Sequence, residues 1–349
     1  VDASRDHLST FGLDVDTASY TRARSQLREG KLPPPEAVRV EEFVNYFKQP
    51  YGVPPDETFG VFAEGMPAPF GGPGLELLKI GIKSREPRPD ERKPAALTFV
   101  VDTSGSMARD DRLNLVRSAI SFLLSDLTEE DSLCLVSFAS QARLVLPRTQ
   151  ANQTARILDA FEGLEAGGST NLEAGLALGY RLADEACSPD AVNRVILCSD
   201  GVANVGAKGP DELLKLVQVF AGRGIDLVTI GFGRGRYNDA LMQRLADSGN
   251  GSCHFADSHD EAARILCEQL PPHLNVLARD AKAQVDFNPE VVARYRLLGY
   301  EKRKIADADF RNDKIDAGEV GHATLVMVLY EVQRRPGANG PLGKVFLRW

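Results

Sequence analysis

Residues 97–107 read LTFVVDTSGSM. Every residue from Leu97 to Val101 is apolar, aromatic or β-branched, which predicts a buried strand. Asp102, Thr103, Ser104, Gly105 and Ser106 then leave its carboxyl end. A carboxylate among hydroxyls at such a position either caps a helix or faces a ligand, because open α/β sheets form their sites outside the carboxyl ends of the strands.

Outward from this stretch, strand-like runs alternate with amphipathic ones between Ala95 and Leu270. ALTFVVD, SLCLVSFA, RVILCSD, IDLVTIGFG and GSCHFAD read as strands. RLNLVRSAISFLLSDL, TARILDAFEGL, NLEAGLALGYRLADEA, PDELLKLVQVFAGRG, NDALMQRLADSG and DEAARILCEQL carry apolar residues at helical spacing. This alternation predicts a Rossmann-like α/β domain over residues 94–270, a mostly parallel sheet with helices on both faces.

The flanks differ. Residues 1–55 hold two helix-like pieces, TASYTRARSQLREG and RVEEFVNYF, separated by the prolines of KLPPPEA. This predicts an N-terminal helical extension. TFGVFAEGM and ELLKIGIKS in residues 56–93 read as strands, followed by the polar linker EPRPDERKP. VLARDAKAQVDF, VARYRLLGYEKR, HATLVMVLYEVQ and GKVFLRW in residues 271–349 read as further strands. Neither flank has enough strands for a core of its own, so the expectation is one β-sandwich built from both, with the α/β domain inserted.

Bulk properties bound the function. The 349 residues are 43% hydrophobic and 26% charged, an ordinary globular composition with room for more than one core. A formal charge of −8 without a clustered basic face argues against nucleic acid as a partner. No run approaches the roughly 18–20 apolar residues of a membrane span, so no transmembrane segment is expected in this chain. The opening VDASRDHLST has neither a basic nor an apolar leader region, and GKVFLRW reads as a strand trimmed at its end. Five cysteines without C-x-x-C spacing read as free thiols.

Three polar clusters fall at strand ends. They are Asp102 to Ser106, the loop GGSTN with Ser169, Thr170 and Asn171, and the loop SDG with Ser199, Asp200 and Gly201. Any one alone reads as a cap or turn. Together, Asp102, Ser104, Ser106, Thr170 and Asp200 make a coherent set of hard oxygen donors for Mg²⁺, with Ca²⁺ or Mn²⁺ as substitutes. The D-x-S-x-S spacing lets one loop turn three of them toward one point. Because the hydroxyls are neutral, the ion stays electrophilic and its vacant position suits an Asp or Glu carboxylate of a partner protein.

DTSGSM, then GGSTN, then SDG, in this order on an α/β domain, resemble the metal-ion-dependent adhesion site of the von Willebrand factor type A domains. The family's D-x-S-x-S, Thr and Asp positions fall on Asp102, Ser104, Ser106, Thr170 and Asp200. The segment FGLDVDTASYTRARSQLREGKLPPPEAVRVEEFVNYF resembles the N-terminal extension of a bacterial subfamily, the YfbK-type proteins. VDFNPEVVARYRLLGYEKR and DADFRNDKIDAGEVGHATLVMVLYEV resemble its C-terminal extension. The resemblance implies a non-enzymatic adhesion-type module, exported to the periplasm or cell surface or lipid-anchored.

Other chemistries fit less well. An aspartic protease needs glycine where Ser104 stands. A Mg²⁺-dependent hydrolase or phosphotransfer enzyme using the same metal is the alternative, but the D-x-D of Asp14 and Asp16 lies far upstream of the first strand of the α/β domain, where a cap is the simpler reading. His7, His254, His259, His273 and His322 belong to no recognisable triad motif. The acidic run with Asp307, Asp309, Asp313, Asp316 and Glu319 lacks the offsets of an EF-hand and reads as a hydrogen-bonding loop rather than a second ion site. GFGRGRYN lacks the spacing of a phosphate cradle. A structural role with an idle site is the third possibility.

Overall fold

The computed structural model describes residues 1–349 except 15, 54–55, 89–90, 110, 202–208, 234–238, 271–275, 302 and 313–316. The chain divides into two compact units. Unit 1 comprises Val1–Tyr20, Pro34–Arg88 and Val276–Trp349; unit 2 comprises Thr21–Pro33 and Pro89–Asn275.

The N-terminal elements are β1 (Leu8–Gly12), α1 (Ala18–Arg28), α2 (Val40–Tyr46), β2 (Phe59–Pro67) and β3 (Leu75–Ser84). Unit 2 continues with β4 (Ala95–Asp102), α3 (Arg112–Asp126), β5 (Ser132–Phe138), β6 (Ala142–Gln150), α4 (Thr154–Glu162) and α5 (Leu172–Glu185). It ends with β7 (Val192–Ser199), α6 (Pro210–Ala221), β8 (Ile225–Phe232), α7 (Asp239–Ser248), β9 (Cys253–Ala256) and α8 (His259–Arg264). The remaining strands belong to unit 1: β10 (Val276–Ala278), β11 (Lys282–Phe287), β12 (Val292–Leu298), β13 (Lys304–Ile305), β14 (Val320–Gly321), β15 (Leu325–Arg334) and β16 (Gly343–Arg348).

The sheet of unit 2 has the order β6-β5-β4-β7-β8-β9. The β4–β5, β4–β7, β7–β8 and β8–β9 pairs are parallel, as the alternation predicts. The edge strand β6 is antiparallel to β5 and was not anticipated. Its sequence, ARLVLPRTQ, carries a proline that argues against a central strand, and the edge tolerates the lost donor. Leu97, Phe99, Val101, Leu133, Leu135, Ile196 and Val228 form a core with residues of α3, α4 and α8.

On the opposite face α5 lies unusually close to the sheet. A Cβ on Gly179 would sit 2.3 Å from Val100 Cγ2, and one on Gly175 would sit 2.6 Å from Phe138 Cγ. Glycine at both places lets this helix settle against β4 and β5, which brings its first turn close to the ends of those strands. Asn171 caps the helix by accepting from Ala174 N at 3.1 Å.

Unit 1 contains two four-stranded antiparallel sheets, β13-β1-β11-β16 and β12-β15-β3-β2, and the pair β10-β14. Phe11, Val285 and Phe287 from the first sheet share one apolar core with Ile80, Ile82, Val328 and Tyr330 from the second. Strands from both flanks therefore pair and pack together. The stretch expected to be a purely helical extension also supplies β1, which pairs with β11 in the register Leu8↔Asp286 through Gly12↔Lys282. LSTFG is too short to declare itself; its partners are about 275 residues away in the chain, and only their hydrogen bonds make it a strand.

Candidate functional site

Chain order reverses at the centre of the six-stranded sheet: from β4 the chain passes first to β5 on one side and later to β7 on the other. Such a switch point leaves a crevice at the carboxyl ends of the two central strands. Asp102 is the last residue of β4, and Ser199 and Asp200 leave β7 beside it.

Asp102 is fully buried. Its Oδ1 accepts from Ser104 N at 2.8 Å and its Oδ2 accepts from Ser199 Oγ at 2.7 Å. Burial pushes the Asp102 carboxyl above its ordinary value; the Ser104 and Ser199 hydrogen bonds pull it back, and the nearby Asp200 charge pushes it up again. Both carboxyl groups are thus buried, and Asp102 lies within the electrostatic influence of Asp200.

The hydroxyls come from the same loops. Ser104 Oγ and Ser106 Oγ lie 3.0 Å apart, the first buried and the second half-buried. The D-x-S-x-S loop is tied to the GGSTN loop by Gly105 N donating to Gly168 O at 3.1 Å and Gly167 N donating to Thr103 O at 2.7 Å. Gly168 holds φ +80°, a backbone state that favours glycine. Asn171 N donates to Ala139 O at 2.7 Å, anchoring the head of α5 to the end of β5. Thr170 lies between these anchors, buried, and its hydroxyl makes no hydrogen bond to a described residue.

Asp200 is buried and forms an ion pair with Arg112, the first residue of α3. The same guanidinium donates through Nη1 to Ser106 O at 3.3 Å. The structure thus links Asp102, Ser104 and Ser106 directly, sets Asp200 within electrostatic reach of Asp102, and puts Thr170 two residues after the Gly168 anchor. Sequence reasoning missed two participants. Ser199 was visible as the neighbour of Asp200 but its bond to Asp102 was not, and Arg112 carried only the weak signal of a basic residue opening a helix after the loop.

Several other candidates among the described residues make contacts within the fold. Asp14 and Asp16 both pair with Arg303, Asp16 at 2.8 Å. In the acidic run, Asp307 accepts from Thr10 Oγ1 at 2.6 Å and Asp309 from Asn312 Nδ2 at 3.1 Å; Asp313 and Asp316 lie outside the described residues. His254 bonds Ser252 Oγ at 2.8 Å in the interior, His7 pairs with Asp286, and His273 lies outside the described residues, as does Arg234–Asn238 of the glycine-rich stretch. Among the described residues none of the five cysteines forms a disulfide. Among the described residues no group of three or more His, Cys, Asp or Glu gathers at one point, and no helix is long and apolar enough to cross a membrane.

Comparison with known proteins agrees with this layout. The von Willebrand factor type A domain model matches residues 96–269, a von Willebrand factor model matches 1–78, and the model "Uncharacterized protein YfbK, C-terminal" matches 272–340. YfbK of Escherichia coli (strain K12) is 39% identical over 333 residues, covering 93% of this chain. The protein sll0103 of Synechocystis sp. is 28% identical over 280 residues, covering 78% of this chain. The chain spans 58% and 65% of the lengths of these two relatives. A solved von Willebrand factor type A protein from Catenulispora acidiphila has the same fold, with a TM-score of 0.51 at 19% identity over 86% of this chain and 71% of its own.

Unit 2 therefore contains a von Willebrand factor type A domain. With its matching flanks, the chain belongs to the YfbK-like family of von Willebrand factor type A proteins.

Proposed function

We propose that the crevice binds Mg²⁺ through Asp102, Ser104, Ser106, Thr170 and Asp200, and that the loaded site captures an Asp or Glu carboxylate of a partner protein. The observation that carries this reading is the composition of the crevice: two buried carboxylates, a pair of hydroxyls 3.0 Å apart and a threonine hydroxyl without a described partner. All are hard oxygen donors, which suits Mg²⁺ and admits Ca²⁺ or Mn²⁺. The bound ion would supply electrophilic charge for an anion.

The chain's own residues prepare that site. Ser199 and Ser104 N hold the Asp102 carboxylate in place, each using one lone-pair direction of a different oxygen. Arg112 orients Asp200. A bound divalent cation shifts the charge of this crevice toward positive, so an acidic group on the partner is attracted. The role is binding, not catalysis. By family resemblance, the proposed setting is the cell exterior or periplasm.

The test is capture from an extract of the source organism with the chain immobilised. Partners are expected to be retained in Mg²⁺ and released by EDTA, with Asp102→Ala retaining none of them. Partners held equally well in chelator would overturn the adhesion reading, and turnover of a phosphate or peptide substrate in Mg²⁺ would replace it with the hydrolase.

A further inference from the structure

We propose, building on the metal reading above, that Arg112 is a built-in counter-ion of Asp200. It competes with the divalent cation for Asp200, lowering affinity for the ion while giving the loaded site the positive charge that draws a carboxylate.

Three observations converge on this residue. First, its guanidinium reaches two loops of the site at once, pairing with Asp200 and donating to Ser106 O at 3.3 Å. Second, both partners are deep: the Arg112 side chain is 8% exposed and that of Asp200 is 1% exposed. An ionised carboxylate at that depth, with fully buried Asp102 nearby, is costly unless a cation accompanies it.

Third, the protein makes room for the arginine. Gly233, just past β8, holds φ +108°, and a Cβ there would lie 2.3 Å from Arg112 Nε, 2.6 Å from Cγ and 2.7 Å from Cδ. The side chain thus runs through a space that only glycine leaves open. On the other side Asp111, which precedes Arg112, takes the left-handed conformation at φ 61°, uncommon for a residue with a side chain. The start of α3 accepts that local cost while delivering Arg112 to the crevice.

The electrostatic consequence is a trade. Without Arg112, the carboxylates of Asp102 and Asp200 would hold the divalent ion more tightly and neutralise more of its charge. With Arg112, the ion binds more weakly because a fixed cation sits close by, and the loaded cluster is more positive by that one charge. Arg112 is a positioning residue here, acting through Asp200 and the field of the crevice rather than as a ligand.

The experiment measures Mg²⁺ binding by calorimetry, and thermal unfolding in EDTA and in saturating Mg²⁺, for the chain and for Arg112→Met and Arg112→Lys. Arg112→Met is expected to bind Mg²⁺ about tenfold tighter or more, to melt lower than wild type in EDTA, and to recover most of that loss in Mg²⁺. Arg112→Lys, keeping the charge, should stay near wild type in both measurements. Unchanged or weaker Mg²⁺ binding by folded Arg112→Met would overturn the inference while leaving the metal reading intact. Absence of binding in wild type and Arg112→Met alike would remove the metal reading itself, and the inference with it. Binding in Arg112→Met alone would support the inference. Should Arg112→Met fail to fold in either condition, Gly233→Ala displaces the arginine stem without touching a proposed ligand. It should also tighten Mg²⁺ binding, and unchanged affinity in Gly233→Ala would count against Arg112.

Discussion

Two acidic clusters in this chain use similar side chains in different ways. In unit 1, Asp14 and Asp16 each take a guanidinium nitrogen of Arg303, and Glu42 accepts from Arg39 Nη1 at 2.7 Å and Ser19 N at 2.8 Å. The Ser19 hydroxyl is committed too, donating to Ala37 O at 2.5 Å and accepting from Arg39 N at 3.0 Å. In the crevice of unit 2, Arg112 pairs with Asp200, Ser104 N and Ser199 Oγ donate to Asp102, the Ser104 and Ser106 hydroxyls lie 3.0 Å apart, and Thr170 has no described hydrogen-bond partner. Oxygen donors in the first cluster are spent on the fold. In the second, buried carboxylates and hydroxyls gather in one crevice, and that gathering is what the proposed cation site rests on.

The largest effect should come from breaking the brace. Arg303→Met leaves Asp14 and Asp16 without their shared guanidinium and should cost about 3–5 kcal/mol in denaturant unfolding, with no change in Mg²⁺ affinity. Altered metal binding in a folded Arg303→Met would erase the proposed contrast between the clusters.

The next test uses pH. Burial pushes the Glu42 carboxyl from 4.5 up to about 7, and the nearby Asp16 charge adds to this while Arg39 and Ser19 oppose it. A folded value above the unfolded one means that stability is fully present below about 4.5 and is lost as pH rises through about 7. The expected loss is roughly 3 kcal/mol across that window. Unfolding curves of Glu42→Gln should be flatter than wild type over the same range; an identical slope would show that Glu42 does not govern it.

Smaller effects test the crevice. Asp102→Ala should weaken Mg²⁺ binding about a hundredfold, or ~2.7 kcal/mol, and Thr170→Ala about tenfold, or ~1.4 kcal/mol. Calorimetry showing wild-type affinity in both variants would sink the five-residue assignment.

Much of this was legible in the sequence because it is written in local signals. Strand and helix periods differ, so the parallel sheet and its helices could be read between Ala95 and Leu270; D-x-S-x-S and Asp200 stand at predictable strand ends, and Thr170 just before a predictable helix. β6 was hidden because Pro147 argues against a strand until the edge position is known. β1 was hidden because five residues carry too little pattern without their partner β11. The D-x-D of Asp14 and Asp16 could be read as a cap, but Arg303, which answers both, lies nearly 290 residues away.

By itself, then, the sequence determined the order of elements, the three polar loops and the chemical character of their side chains, since each depends on neighbours within a few positions. Only the tertiary structure decided that Ser199 holds Asp102, that Arg112 is the charge partner of Asp200, and that Gly233 leaves space for its stem. Those are contacts between residues far apart in the chain, created when the strands align and the interior excludes water. The energy of a buried charge depends on which groups end up beside it.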